Sequence, residues 1–260
     1  MAIDLKSLRK SSIARPPRIV LYGTHGVGKS TFAAQSENPV FIQTEEGLDA
    51  LNVTAFPLAR SFDEVMEAIQ ALYNEEHDFQ TVCLDSVDWL EQLIWKKVAT
   101  NNKVTNIEDI GYGKGYIFAL ELWHNILEGF DLLRNEKNMQ VIFLAHSQIK
   151  RFDDPLTDSY DRYQLDLHKG GAATISEWCD ILAFANYNVN TIKSDVGFNQ
   201  KKTRAVGAGT RALHTQERPG WVAKSRWPLP DTISMDYSTF SNALATAMEP
   251  QKNLKEKTNG

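Results

Sequence analysis

The residues with the clearest chemical meaning form a glycine-rich loop that follows a short apolar run. Four residues separate Gly23 from Gly28-Lys29-Ser30, which is the spacing of a phosphate-binding loop, or P-loop. Glycines let backbone amides turn inward around an anion, and a helix beginning at Lys29 points its positive dipole end at the same place. The loop therefore predicts a site for a nucleoside triphosphate. The residues expected to contact it are Gly23, Thr24, His25, Gly26, Val27, Gly28, Lys29, Ser30 and Thr31.

Two of these side chains and one distant carboxylate are expected to complete the phosphate site. Lys29 is placed to bridge the β- and γ-phosphates, and the Ser30 hydroxyl is placed to bind Mg²⁺. The apolar run that begins at Thr81 ends in Asp85, which is the usual form of a strand whose carboxylate holds the same ion. We therefore expect Ser30 and Asp85 to be the metal-binding residues, with Mg²⁺ accompanying ATP.

Two further apolar strands end in polar residues, at the edge where α/β sheets bind ligands. Glu45 is expected to polarise the attacking water, and the adjacent Glu46 is the alternative. A later run ends in His146, and either His146 or Gln148 is expected to meet the γ-phosphate as a sensor. Plain hydrogen-bonded structure is the alternative role for each. In ATPases with a separate catalytic glutamate, we expect this strand between the P-loop strand and the Mg²⁺-binding strand.

Tyrosines and cations are interleaved in two segments with little apolar periodicity, residues 111–116 and 149–170. Such surfaces suit single-stranded nucleic acid, because bases stack on aromatic rings while phosphates pair with cations. We expect both segments to be DNA-binding loops, and the alternative is a pair of connecting loops whose tyrosines pack on the core. The predicted DNA-binding residues are Tyr112, Lys114, Tyr116, Lys150, Arg151, Arg162, Tyr163 and Lys169.

A β-hairpin is expected towards the end of the chain. Residues 211–215 and 221–226 are predicted to be its strands, and Pro219-Gly220 between them suits a type II turn. Period-two alternation places Lys224 and Arg226 on one face of the second strand. Two cations that project together are more than a solvated face requires, so we expect them to have a function.

The composition is typical of a soluble globular chain. The 260 residues are 42% hydrophobic and 23% charged, with a formal net charge of −5. Because the overall field does not attract nucleic acid, such binding must come from local basic patches. No apolar run reaches the roughly 18 residues of a membrane span, and the N-terminus has no signal-peptide core. We therefore expect a cytoplasmic protein with no membrane partner.

The length of the chain fits one large domain. We expect a basic arm over residues 1–17, one α/β core over residues 18–248, and a disordered polar tail over residues 249–260. Cys83 and Cys179 both lie inside apolar runs, and they are expected to be buried and reduced.

In the order of its motifs the chain resembles the RecA-like ATPases, and phage-encoded P-loop ATPases most of all. The strand that ends in His146 and Gln148 resembles the recombinase strand that ends in a sensing glutamine and enters a DNA-binding loop. The strand end at Glu45 is similar to the recombinases' Glu-Gly, which implies Glu45 as the catalytic carboxylate. Residues 224–226 resemble the Lys-x-Arg finger that RecA-like hexameric helicases insert into a neighbouring ATP site. The resemblance covers roughly residues 17–248.

The resemblance implies an α/β, RecA-like P-loop NTPase fold, a mostly parallel sheet flanked by helices with a C-terminal β-hairpin. It also implies an Mg-ATP-dependent ATPase of phage recombination or replication that forms a ring or filament. This enzyme would bind single-stranded DNA and promote annealing or strand pairing, with a single-strand DNA-binding protein as a further partner. A ring-forming helicase or translocase is one alternative, and an ATP-gated switch that recruits replication proteins is another.

Overall fold

The structure is a computed structural model that describes residues 15–195 and 201–249. The arm expected over residues 1–17 and the tail expected over residues 249–260 therefore lie almost wholly outside the described residues. Within the described part, the chain forms ten strands and six α-helices. The strands are β1 (Arg18–Gly23), β2 (Pro39–Gln43), β3 (Thr54–Ala55), β4 (Thr81–Asp85), β5 (Gln140–Phe152), β6 (Tyr160–Leu165), β7 (Ile181–Asp195), β8 (Lys201–His214), β9 (Lys224–Ser225) and β10 (Thr232–Ser234). The helices are α1 (Lys29–Ala34), α2 (Phe62–Asn74), α3 (Val87–Asn101), α4 (Lys114–Glu136), α5 (Lys169–Trp178) and α6 (Tyr237–Met248).

The strands form one sheet in the order β10-β8-β7-β1-β5-β4-β2-β3, with β6 paired to β5 and β9 paired to β7 outside this path. Its central strands, from β7 through to β3, are parallel to one another. The strand β5 lies between the P-loop strand β1 and the Asp85 strand β4. The expected strand order for an ATPase with a separate catalytic glutamate is thereby confirmed, and so is the mostly parallel, RecA-like α/β fold class.

Helices cover both faces of the sheet, which is why the central strands are apolar on both sides. One face packs against α2, α3, α4 and α5, and its core includes Phe130 and Phe143, whose ring centroids are 4.7 Å apart. The other face packs against α1 and α6 through Phe32 and Phe240, whose centroids are 5.6 Å apart. The sheet is therefore held rigidly between two apolar layers.

Parallel strands bring their carboxyl ends to one edge, where the candidate site residues are collected. Gly23 is in register with His146, and Gln43 is in register with Asp85. The P-loop, the segment of Glu45, Asp85 and His146 therefore meet at the same edge of the sheet.

Residues 149–170 are not the long loop that the sequence predicted. The strand β5 continues beyond the sheet, and its residues from Ser147 to Phe152 pair antiparallel with β6. Only residues 153–159 connect the two strands, and we call this projection (residues 147–165) the β5–β6 hairpin. The prediction failed because little of this hairpin is buried, so its strands carry no apolar alternation.

Residues 211–215 and 221–226 do not pair with each other as the predicted hairpin. The last residues of β8 pair antiparallel with β7, and β9 pairs antiparallel with an earlier part of the same strand. Both segments therefore run in one direction along β7. The turn at Pro219-Gly220 does form, with Arg218 paired to Trp221 across it, but it belongs to an excursion between β8 and β9. The long antiparallel hairpin of this region is instead made by β7 and β8.

Two simpler expectations concern the cysteines and the helices. Cys83 and Cys179 are both buried and carry free thiols, as expected, and burial raises the pKa of Cys179 to about 11. Among the described residues, no helix has the length and apolar character needed to cross a membrane.

Candidate functional site

The P-loop leads from β1 into α1, with glycines where the backbone is left-handed. Gly26 and Gly28 have φ angles of 71° and 99°, which residues with a Cβ disfavour. Lys29, the first residue of α1, is almost fully buried, and its Nζ donates to the carbonyl oxygens of Gly23 and Thr24, both at 3.2 Å. Burial lowers the pKa of Lys29, and an anionic phosphate would offset that cost.

Ser30 and Asp85 meet at the edge of the sheet beside the loop. The Ser30 hydroxyl donates to Asp85 Oδ2 at 2.6 Å. Burial raises the pKa of Asp85, and the Ser30 hydrogen bond and the Lys29 charge oppose this shift in part. The pair supplies a hydroxyl oxygen and a carboxylate oxygen, which are the hard ligands that Mg²⁺ prefers. The donor set thus fits the Mg²⁺ that accompanies a nucleotide, with Ser30 and Asp85 as the residues that would hold it.

A buried threonine fixes the position of Glu45. The Thr44 amide donates to Asp85 O at 2.8 Å, its hydroxyl donates to Ser86 O at 2.7 Å, and the Ser86 amide donates to that hydroxyl at 2.9 Å. These bonds join the end of β2 to the end of β4 and leave Glu45 facing the P-loop. Burial raises the pKa of Glu45, which the charge of His146 offsets only in part. A raised pKa suits a carboxylate that must accept a proton near neutral pH.

His146 lies between the P-loop and α3, where Asp88 holds it. Its Nδ1 lies 2.8 Å from Asp88 Oδ2, and its backbone amide donates to Asp88 Oδ1 at 2.9 Å. Burial lowers the pKa of His146, but the hydrogen bond and the charge of Asp88 outweigh this effect, so the pKa lies above the ordinary value. The His25 ring stacks on the His146 ring with centroids 4.0 Å apart, and the charge of His146 lowers the pKa of His25. This array links the P-loop to α3.

These groups surround a cleft of about 340 Å³. The predicted site residues that line it are Gly26, Gly28, Lys29, Ser30, Thr31, Glu45, Asp85 and His146. Glu46 also faces the cleft but is exposed to solvent. Gln148 lies in the β5–β6 hairpin, where its amide donates to Leu165 O at 2.8 Å. Of the two pairs of alternatives, the half-buried Glu45 and the buried His146 therefore lie at the cleft, whereas Glu46 is exposed and Gln148 lies in the hairpin.

A comparison with protein families agrees with this geometry. A family model described as an AAA domain, AAA_24, matches residues 15–227. The chain belongs to this family. The match spans every strand except β10, together with the P-loop and the cleft, so the expected resemblance to P-loop ATPases is confirmed for the fold and for the family.

Two further proteins are similar to this AAA domain. The SPbeta prophage-derived uncharacterized protein YorG of Bacillus subtilis (strain 168) is 24% identical over 156 residues, which cover 56% of this chain and 47% of YorG. The chain therefore spans about half the length of this curated relative. Among solved structures, the crystal structure of the RadB recombinase aligns with a TM-score of 0.47 and 14% identity, covering 87% of this chain and 90% of that chain.

Beyond the cleft, the AAA domain exposes cations around the β5–β6 hairpin and the start of α4. Five of the predicted DNA-binding residues are exposed, and we call this set the basic surface: Tyr112, Lys114, Lys150, Arg151 and Lys169. The Tyr116 ring of α4 stacks on the His168 ring with centroids 4.2 Å apart, which brings the start of α4 to the junction of β6 and α5. Burial and the charges of Lys169 and Lys150 lower the pKa of His168. The residues of the basic surface at the start of α4 and those around the β5–β6 hairpin therefore both lie beside this junction.

A buried carboxylate attaches the same junction to α3. Glu91 Oε2 accepts a hydrogen bond from the His168 amide at 2.8 Å, and burial raises the pKa of Glu91 to about 7. Asp88, one turn earlier on α3, holds His146 in the cleft. The helix α3 therefore contacts both the cleft and the junction of β6 and α5, beside which the basic surface lies.

Two of the predicted DNA-binding tyrosines also pack against other rings of the domain. The Tyr163 ring stacks on Phe184 with centroids 4.9 Å apart. The Tyr116 ring is covered by His168, as described above. Each stacked neighbour occupies one face of the ring, and the binding of DNA by Tyr116 and Tyr163 stays a prediction.

Arg162 is likewise committed to contacts within the domain. Its guanidinium lies 3.7 Å from the centroid of the Phe152 ring, and its Nη1 lies 3.2 Å from Glu217 Oε1. These contacts hold Arg162 against the β5–β6 hairpin, and its role in DNA binding stays a prediction.

Lys224 and Arg226 lie at the edge of the sheet opposite the nucleotide cleft of their own chain. The strand β9 pairs with the first residues of β7, which are level with Ile19 of β1. Four residues of extended strand, roughly 13 Å, separate that level from Gly23. Arg226 Nε lies 3.2 Å from Asp180 Oδ1, at the same far edge. Neither cation contacts the cleft of its own chain.

Three residues at the nucleotide site were not predicted from the sequence. Asp88 had a usable signal, because an acidic residue in the first turn of the helix after Asp85 faces the same sheet edge. Tyr187 and Arg211 had none, since they reach the P-loop from positions 161 and 184 residues later in the chain than their partners. The Tyr187 hydroxyl donates to Gly26 O at 3.1 Å, and Arg211 Nη1 donates to Val27 O at 3.1 Å.

Proposed function

We propose that this chain is an Mg-ATP-dependent ATPase that assembles with copies of itself and acts on single-stranded DNA, annealing or pairing strands. The prophage origin of its relative YorG supports a phage setting, in which we place this activity in recombination or replication. The observation that carries the DNA part is the course of β5. This strand leaves the cleft at His146 and becomes the β5–β6 hairpin at the next residue, with Lys150 and Arg151 exposed along it.

In the nucleotide cleft, the steps of hydrolysis fall to residues of this chain. The P-loop amides and Lys29 bind the phosphates and hold the terminal phosphoryl group in place. Glu45 accepts the proton of the attacking water, which its raised pKa favours. Ser30 and Asp85 would hold Mg²⁺, which would supply positive charge against the phosphate oxygens. His146 contacts the terminal phosphate, and its position changes when that phosphate is lost. Because His146 is bonded to Asp88 of α3 and lies in β5, this change reaches α3 and the β5–β6 hairpin.

Assembly brings a cation from one copy to the cleft of the next. A cation supplied by a neighbour stabilises the charge of a transferring phosphoryl group and accelerates hydrolysis by roughly 10³-fold or more. Lys224 and Arg226 are the candidates, because they lie on the edge opposite the cleft, where a head-to-tail neighbour would present them. To reach the neighbouring cleft, Arg226 would give up its ion pair with Asp180. Asp180 would still be paired with Arg18, whose Nη2 lies 3.0 Å from Asp180 Oδ1.

The basic surface accounts for DNA binding without sequence preference. A base stacked on Tyr112 contributes about 1–3 kcal/mol whatever its identity. The four cations of the basic surface contact phosphates, and each contact makes binding weaker at high salt, because condensed counterions are released when the strand binds.

The test is fluorescence anisotropy of a labelled oligonucleotide, with a non-hydrolysable ATP analogue, across a salt series. Each phosphate contact contributes about −0.7 to the slope of log affinity against log salt for a single strand. The double variant Lys150→Gln with Arg151→Gln should weaken binding to every sequence and flatten the slope by about 1.4. Its affinity for the ATP analogue alone should equal that of the wild type.

The matched control is Lys103→Gln with Lys137→Gln. It removes the same charge from exposed positions that follow the C-terminal ends of α3 and α4, and it should bind DNA like the wild type. Equal weakening by the control would assign the attraction to the overall field and not to the hairpin. A wild-type protein that binds no DNA even at low salt would overturn the DNA role and leave the ATP-gated switch in its place.

A further inference from the structure

Two side chains from β7 and β8 hold the outer side of the P-loop. Tyr187 and Arg211 are register partners across these strands. The Tyr187 hydroxyl donates to Gly26 O at 3.1 Å, and Arg211 Nη1 donates to Val27 O at 3.1 Å. One cross-strand pair therefore grips two consecutive carbonyl groups of the loop.

These two carbonyl groups set the direction in which the loop presents its amides. A peptide plane is rigid, so a carbonyl that points outward turns the N–H of the next residue to the opposite side. Fixing Gly26 O and Val27 O thus orients the amides of Val27 and Gly28, which belong to the phosphate-binding stretch. A Cβ at Gly28 would meet the Arg211 guanidinium, so the arginine also occupies the space beside the left-handed turn.

The same strands continue past this contact as a long arm. After a register shift between Tyr187 and Val189, β7 and β8 pair from Val189 opposite Gly207 to Asp195 opposite Lys201. Pairing is continuous within the arm, and the covalent chains of both strands cross the register shift to Tyr187 and Arg211, so a change in the direction of the arm can displace this pair.

We propose that Tyr187 and Arg211 are positioning residues of the nucleotide site: they clamp the outer carbonyls of the P-loop and couple its amides to the β7–β8 arm. The inference rests on the proposed binding of ATP. Because coupling between two sites is reciprocal, nucleotide binding stiffens the arm, and a ligand that orders the arm tightens the hold on nucleotide.

The first test measures nucleotide affinity with a fluorescent ATP analogue and a fluorescent ADP analogue. Tyr187→Phe and Arg211→Gln each remove one donor and should each weaken binding of both nucleotides by about 3- to 10-fold, the range expected for one net hydrogen bond. KM for ATP should rise by the same factor while kcat changes less, because Glu45 and His146 are untouched. Arg211→Lys, which keeps a donor, should restore part of the affinity.

The matched control is Asn188→Ala, which removes the neighbouring cross-strand hydrogen bond from Asn188 Nδ2 to Thr210 Oγ1 at 2.9 Å. This bond lies on the same strands and does not touch the P-loop, so the control should bind nucleotide like the wild type. The melting temperature of each variant without nucleotide separates a clamp from general damage. Tyr187→Phe removes one hydroxyl from an exposed side chain and remains decisive if the arginine variants fold poorly.

The second test follows hydrogen exchange of the arm amides, residues 189–195 and 201–207, with and without nucleotide. We expect nucleotide to slow exchange there in the wild type and to have no such effect in the Tyr187→Phe, Arg211→Gln double variant. If the wild type binds nucleotide and Tyr187→Phe binds it equally well, the clamp is overturned. The clamp is also overturned if nucleotide binds to the wild type but leaves hydrogen exchange in the arm unchanged. A wild type that binds no nucleotide would instead overturn the proposed function, and the clamp with it.

Discussion

Glu45 and Glu46 are adjacent in the sequence, but their surroundings differ. Glu45 Oε1 lies 4.0 Å from His146 Nδ1, and burial raises the pKa of Glu45. Glu46 is exposed. A base for hydrolysis needs a fixed position as well as a suitable pKa, and the hydrogen bonds of Thr44 to the end of β4 supply that position.

Replacing each glutamate by glutamine should therefore separate their roles. Glu45→Gln should bind ATP normally but slow hydrolysis on the order of 10²-fold or more, because the amide cannot accept the proton. Glu46→Gln, the matched control, should hydrolyse ATP within about twofold of the wild type. Single-turnover hydrolysis and analogue binding measure the two effects. The opposite result, a slow Glu46→Gln and a normal Glu45→Gln, would move the base by one residue.

The pair of His146 and Asp88 predicts a pH dependence of stability. The pKa of His146 is raised by Asp88, and the pKa of Asp88 is lowered by the hydrogen bonds from His146 against the effect of its burial. The charged histidine therefore contributes stability that is fully present below about pH 6.5 and is lost as the pH rises through the raised pKa. The aspartate contributes stability above about pH 3.9, which is lost as the pH falls through its lowered pKa.

Asp88→Asn should consequently lower the free energy of unfolding most between about pH 4 and pH 6.5, with a smaller loss at pH 9. Urea unfolding at several pH values measures this difference. The other titratable groups near His146 are Asp85, Glu45, His25 and Lys29, so NMR titration of the histidines should accompany it. There, the pKa of His146 should fall in the variant. A loss of stability independent of pH would contradict the charged pair.

Gly23 is needed for the packing of two neighbouring strands, which is a role separate from phosphate binding by the P-loop. A Cβ there would meet the carbonyl oxygen of Ala185, which belongs to the neighbouring strand β7. The close approach of β1 and β7 is therefore what requires glycine at this position. Gly26, by contrast, has open space around it and needs glycine only for its φ angle of 71°.

Gly23→Ala should thus destabilise the domain more than Gly26→Ala. We expect losses of about 3 kcal/mol for Gly23→Ala, since two backbones must separate, and about 1 kcal/mol for Gly26→Ala, since only a left-handed residue is strained. Urea unfolding of the two variants checks the order. Equal losses, or a greater loss for Gly26→Ala, would show that β1 and β7 can move apart at little cost.

Strands whose polar ends meet at one sheet edge could be recognised from the sequence. The runs ending in Gly23, Glu45, Asp85 and His146 are short and apolar because each strand is buried on both faces, and that burial leaves a direct trace in composition. The order of these strands could then be expected from the separate catalytic glutamate. Much of the nucleotide cleft was predictable for this reason.

Elements whose pairing is decided far along the chain could not be recognised in the same way. The turn at Pro219-Gly220 forms, yet the strands on either side of it pair with β7 and not with each other. Pairing with β7 joins these segments to the main sheet, which local turn chemistry does not encode. Tyr187 and Arg211 were missed for the same reason, since their contacts with the P-loop depend on this distant pairing.

The assembled protein should share active sites between copies. Lys29→Ala should be inactive because its P-loop lacks the ammonium group that binds the phosphates. Arg226→Ala should be nearly inactive because it supplies no arginine to the cleft of the neighbouring copy. A mixture of the two should recover part of the ATPase activity, since some interfaces then combine an intact cleft with an intact finger. The melting temperature of Arg226→Ala is the control for loss of its ion pair with Asp180. No recovery at any ratio in subunits that co-assemble would exclude a finger acting between copies.

The proposed function requires the cleft and the basic surface to be coupled, and β5 is the strand that carries both His146 and Lys150. The most direct measurement is the steady-state ATPase rate with and without single-stranded DNA. We expect DNA to raise the rate in the wild type, and we expect the Lys150→Gln, Arg151→Gln variant to keep the basal rate but lose the increase. An ATPase rate that saturating single-stranded DNA leaves unchanged would contradict the coupling of the cleft to the hairpin.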